Sequence, residues 1–81
     1  MNKEELRKKL DLEGIRPDVY WLEGGLPSET FCLCEIEGKW QVYYSERGKK
    51  TGLREFETEG DACQYFYEEI ISTKGVRFPK N

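Results

Sequence analysis

The chain has 81 residues, of which 37% are hydrophobic, 14% aromatic and 36% charged, and its formal net charge is −3. This length suits one small domain over residues 1–81, and the aromatic content favours a folded core over a disordered chain. No apolar run approaches the roughly 20 residues of a membrane-spanning helix, and the charged N-terminal residues do not resemble a signal peptide. The composition therefore predicts a cytoplasmic domain that does not bind membranes.

Six elements are predicted in chain order from hydrophobic periodicity and turn residues. They are a helix over residues 3–13, a short strand over 19–22, strands over 30–36, 39–44 and 53–56, and a helix from residue 59 to about 72. The first helix follows from the four-residue spacing of Leu6 and Leu10, and Gly14 is a natural end for it. Clustered glycines predict loops over residues 23–29 and 45–52.

The central hairpin has a predicted register, because Glu37-Gly38 suits a two-residue turn. This turn places Leu33 opposite Val42 and Phe31 opposite Tyr44. One face of the hairpin then carries Phe31, Leu33, Trp40, Val42 and Tyr44, and the other carries Cys32, Cys34, Ile36, Gln41 and Tyr43. The first face is predicted to join the core. The second is either a partly open interface or is covered by the tail or the first helix.

The last helix is the clearest element of the sequence. Its apolar side chains recur at three- and four-residue spacing at Cys63, Phe66, Tyr67 and Ile70. Thr58 is its predicted N-cap. The tail, residues 72–81, either packs through Val76 and Phe78 or frays. Together the elements predict an α+β fold, in which an antiparallel three- to four-stranded meander carries the N-terminal and C-terminal helices on one face.

Histidine is absent, which removes the commonest general base and the commonest metal ligand. The three cysteines, Cys32, Cys34 and Cys63, are an odd number and predict reduced thiols. Cys32 and Cys34 would lie on the same side of a strand and could share a soft metal, but a tetrahedral site lacks its remaining ligands. We therefore interpret the cysteines as small buried residues and expect no metal, no cofactor and no enzymatic activity.

Charge is unevenly distributed along the chain. Residues 47–54 contain four basic and no acidic side chains, whereas residues 55–71 contain six acidic and no basic ones. Direct binding of nucleic acid needs a broad cationic surface, which this acidic chain does not offer. The pattern favours a protein partner that is guided by charge, and the alternative is that each cluster is a solvated face.

The most distinctive string is Tyr43-Tyr44-Ser45-Glu46-Arg47-Gly48, which leaves a strand and enters a turn. The stretch from Tyr20 to Tyr67 resembles the small cytoplasmic immunity proteins of bacterial polymorphic-toxin and contact-dependent inhibition systems. This string and the final helix carry most of the resemblance. The resemblance implies a non-enzymatic protein that binds and neutralises a cognate toxin domain.

Two further functions remain as alternatives. One is a small protein-binding adaptor or accessory subunit that uses an open sheet face or an edge strand. The other is a small enzyme, which the missing histidine and the missing nucleophile arrangement disfavour.

In the immunity hypothesis the chain is a monomer or weak dimer. Its predicted partner-binding residues are Tyr43, Glu46 and Arg47, together with Glu23 and Glu29 on the other acidic loop.

Overall fold

A computed structural model describes residues 1–78 of the chain. Its elements in chain order are helix α1 (Lys3–Leu12), a 3₁₀ turn (Pro17–Val19), strands β1 (Tyr20–Trp21), β2 (Thr30–Ile36), β3 (Lys39–Glu46) and β4 (Lys49–Phe56), and helix α2 (Glu59–Ile71). The strands form one sheet in the order β1-β2-β3-β4, and both helices pack against it. The predicted α+β fold with a helix at each end of the chain is therefore confirmed.

The sheet is mixed, which differs from the wholly antiparallel arrangement predicted. β2, β3 and β4 form the antiparallel meander, but β1 runs parallel to β2, with Tyr20 opposite Phe31 and Trp21 opposite Cys32. Parallel neighbours need a connection that returns along the sheet, in contrast to a tight hairpin. Residues 22–29 make that return.

Two tight hairpins fix the meander. Glu37 and Gly38 have φ values of 52° and 80°, as in a type I′ turn, and the predicted β2–β3 register is confirmed. Arg47 and Gly48, with φ values of 51° and 74°, make a second turn of the same kind. The prediction of a loop over residues 45–52 is therefore wrong, because β3 continues to Glu46 and β4 begins at Lys49.

Strand β4 contains a bulge. Val42 lies opposite Arg54 and Tyr44 lies opposite Thr51, so that two residues of β4, Gly52 and Leu53, face the one residue between Val42 and Tyr44. Gly52 has a φ of 65°, as the first residue of a glycine bulge does. The bulge interrupts the alternation of side chains, and every residue of β4 except the last is exposed.

The main core lies between the sheet and the two helices. α1 contributes Leu6 and Leu10, and α2 contributes a stripe of fully buried side chains: Ala62, Cys63, Phe66 and Ile70. Tyr67, predicted on this stripe, is only half-buried. The predicted N-cap is confirmed, since the Thr58 side chain accepts a hydrogen bond from the Asp61 amide.

The tail is attached to the end of α1 as far as residue 78. Val76 is buried, and its carbonyl accepts a 2.8 Å hydrogen bond from the Arg16 amide. The Phe78 amide donates to the Gly14 carbonyl, while the Phe78 ring stays exposed. Packing through Val76 is thus confirmed over this stretch, whereas residues 79–81 of the predicted frayed tail lie outside the described residues.

Candidate functional site

The face of the sheet opposite the helices is closed over its centre. Cys32, Cys34 and Tyr43 form a second, smaller buried cluster there. Tyr43 is only 2% exposed, and its hydroxyl donates a 2.6 Å hydrogen bond to the Gly25 carbonyl. Gly24 lies directly against Cys34. Neither alternative predicted for this face is therefore right, because its centre is covered by the loop after β1 and not by the tail or α1.

This covering loop is held to α1 by ion pairs. Glu23 pairs with Lys3 and Arg7, and the hydrogen bond from Arg7 is the main reason why the pKa of Glu23 is lowered. The Glu23 carboxylate is thus engaged within the molecule, and Tyr43 is buried beneath the loop. Among the five predicted partner-binding residues, Glu23 therefore lies at the junction of the covering loop and α1, and Tyr43 lies beneath that loop.

Burial of the thiols predicts a stability that depends on pH. Loss of solvent contact raises the pKa of Cys32 to about 11 and that of Cys63 to about 11, from an ordinary value of 9.0. The folded state then keeps protons that the unfolded state releases, so the free energy of unfolding should fall between pH 9 and pH 11. Urea unfolding across this range should show a shallower fall for Cys63→Ala than for the unaltered chain. An identical slope in the two proteins would contradict the assignment.

The helix-facing side of the sheet, in contrast, is not fully covered. Phe31 and Tyr44 are half-buried neighbours on β2 and β3, with their ring centroids 5.0 Å apart and their planes at 71°. A hollow lies on each side of this pair, and together the two form what we call the aromatic groove. The larger hollow has a volume of about 400 Å³ and the smaller about 230 Å³.

The larger hollow combines basic and acidic side chains around the aromatic pair. Arg16 and Lys74 line it together with Glu29, while Val19 and Val76 contribute apolar surface. The smaller hollow is bordered by Tyr65 and Glu69 of α2 and by the bulge of β4. Aromatic rings flanked by charges of both signs are suited to binding the side chains of another protein.

Two of the predicted acidic residues do meet at this groove. Burial raises the pKa of Tyr44, and the nearby charges of Glu29 and Glu46 raise it further. Glu29 lines the larger hollow, and Glu46 ends β3 beside the second turn. Arg47, the remaining predicted residue, is exposed in that turn. The structure therefore groups Glu29, Glu46 and Arg47 at one end of the sheet and separates them from Glu23 and Tyr43.

The sequence interpretation missed the aromatic residues of this groove. The hairpin register predicts Phe31 and Tyr44 in the core, because they share a face with Leu33 and Val42, which are buried; Phe31 does pack against that core but is only half-buried. Face parity shows which side of a sheet a residue occupies, but it does not show how far a helix covers that side. One available signal was composition, since tyrosine is enriched at interfaces.

Comparison with protein-family models, with curated proteins and with solved structures finds no match. Neither helix in residues 1–78 has the length and apolar character needed to cross a membrane. Over the same described stretch, no three side chains of the kinds that hold metal ions come together.

Proposed function

We propose that this chain is a cytoplasmic immunity protein that binds and neutralises a cognate toxin domain without catalysing a reaction. The observation that carries the proposal is the aromatic groove. It presents Phe31 and Tyr44 at the surface with Glu29 and Glu46 beside them. Aromatic anchors with a charged rim are typical of surfaces that bind proteins.

The aromatic pair of the groove is held in position by the sheet. Phe31 and Tyr44 lie opposite each other on paired strands, and their rings are in edge-to-face contact. Side chains that are held by contacts within the protein lose less conformational entropy on binding, which favours tight association. An inhibitor that must act whenever its toxin is present benefits from this property.

A second candidate function, the protein-binding adaptor, is favoured by strand β4. This strand lies at the edge of the sheet, and among the described residues it has a strand partner on one side only. An extended segment of another protein could add to such an edge through main-chain hydrogen bonds. The bulge at Gly52 shortens the regular stretch available for pairing, and for this reason we rank the edge second to the groove.

Charge reversal at Glu46 tests the immunity proposal. Glu46→Lys should slow association with the cognate toxin domain roughly fivefold at low salt, because a carboxylate at the rim of the groove guides encounter. The loss should shrink as salt rises, since charges separated by more than about 8 Å are screened at 0.15 M. Binding kinetics and rescue of growth on co-expression provide the two measurements.

The matched control is Glu57→Lys, which makes the same charge change at the other end of the sheet, where Glu57 pairs with Lys39. We expect it to leave association nearly unchanged, and neither variant should move the unfolding midpoint appreciably. Equal slowing by both reversals would indicate net charge, not the groove, as the cause. Protection of cells without any detectable binding would overturn the immunity proposal itself.

A further inference from the structure

We propose that the smaller hollow of the aromatic groove binds a cationic side chain, specifically an arginine guanidinium presented by the partner protein. This inference deepens the proposed function, and only its identification of the partner as a toxin rests on that function. The site itself is argued from the shape, the aromatic lining and the charge of the hollow.

The shape suits one side chain. The hollow has a volume of about 230 Å³, below the roughly 300 Å³ at which pockets for whole small molecules begin. Phe31, Tyr44 and Tyr65 line it together with Glu69. Tyr65 is held in position by Phe56, with the two ring centroids 5.3 Å apart. The hollow is therefore a small aromatic recess with a carboxylate at its border.

Glu69 is the one charged residue among those that line the hollow. It is the chief reason why the pKa of Tyr65 is raised, and Arg54, which approaches Tyr65, partly offsets this effect. Among the described residues, the lining of the hollow therefore carries one carboxylate and no cation.

An aromatic recess with a carboxylate in its lining favours a cation, because ring faces and carboxylates both attract positive charge. The chain uses the same attraction elsewhere: the Lys50 ammonium lies 4.6 Å from the centre of the Tyr43 ring. Arginine fits better than lysine, since a planar guanidinium can stack on a ring while it donates two hydrogen bonds to a carboxylate.

The test is an NMR titration of the whole chain with N-acetyl-arginine amide, and in parallel with its neutral isostere N-acetyl-citrulline amide. The arginine compound should shift the amide signals of Thr51, Gly52 and Tyr65, and the citrulline compound should bind about threefold to tenfold more weakly. Glu69→Gln should weaken arginine binding by a similar factor. Glu68→Gln, the control, changes the adjacent α2 carboxylate, which accepts a hydrogen bond from Gln64, and should have no effect.

Equal binding of the two compounds, or equal effects of the two glutamine variants, would overturn the arginine site. The titration contains no toxin, so the two proposals can fail separately. If toxin binds but arginine does not, only the site is overturned. If arginine binds but no toxin does, only the proposed function is overturned. Toxin binding that is unaffected by Glu69→Gln would show that the partner does not use the hollow, and would overturn the inference about the partner.

Discussion

Replacing Phe66 by alanine should lower the free energy of unfolding by about 3–5 kcal/mol. The Phe66 ring is fully buried on the inner stripe of α2, where the helix packs against the sheet and α1. Its removal takes apolar surface from the core and leaves a cavity that the surrounding elements can fill only in part. Urea unfolding followed by circular dichroism measures the loss.

Phe78→Ala is the matched control for this change. The same atoms are removed from a ring that is 57% exposed, while the backbone hydrogen bond to Gly14 is retained. We expect a loss of about 0.5 kcal/mol or less. Ile70→Val, in the same buried stripe, should cost about 1 kcal/mol and remains measurable if Phe66→Ala does not fold. Similar losses for Phe66→Ala and Phe78→Ala would show that the helix face is wrongly assigned.

Replacing Gly24 by alanine should cost about 2–4 kcal/mol and should loosen the covering loop. Gly24 has a φ of 76°, which strains any residue that carries a Cβ. A Cβ there would lie 3.1 Å from the Cβ of Cys34, an atom fixed close to the backbone of β2, so the loop must move outward. Urea unfolding gives the cost, and faster reaction of Cys34 with a thiol reagent reports the movement.

Gly25→Ala separates backbone strain from steric contact. Gly25 has a similar φ of 85°, but a Cβ at this position would meet nothing within 4 Å. We expect Gly25→Ala to lower the free energy of unfolding by about 1 kcal/mol through backbone strain alone, with little change in the reactivity of Cys34. If the two alanine variants lose the same stability and leave the thiol equally protected, then close packing of the loop on Cys34 contributes nothing.

Local patterns predicted the parts of the fold that local chemistry determines. The turn Glu37-Gly38 fixed the register of β2 and β3, because a two-residue turn permits only one pairing. The stripe of α2 identified its buried face, since helical periodicity determines which side chains share a side. The second hairpin escaped prediction because the glycine bulge of β4 breaks the alternation that identifies a strand.

Features that depend on distant residues could not be predicted in this way. The ion pairs of Glu23 are one example, because Lys3 and Arg7 lie on α1, 16 to 20 residues earlier in the chain. The covering loop has no periodicity, so nothing in its sequence indicates that it lies over Cys34 and Tyr43. The sequence predicts Glu29 and Glu46 as acidic residues in two separate loops. That both lie close to Tyr44 becomes visible only in the folded structure.

The packing of α1 on α2 has a consequence for how this protein is made. Leu6 and Leu10 share their core with Phe66 and Ile70, which are synthesised more than 50 residues later. Translation proceeds at about 5–20 residues per second, so the apolar face of the first helix waits for several seconds without its native partner. The meander can pair as soon as it leaves the ribosome, because its contacts are close in sequence. The core itself closes only after α2 has been synthesised.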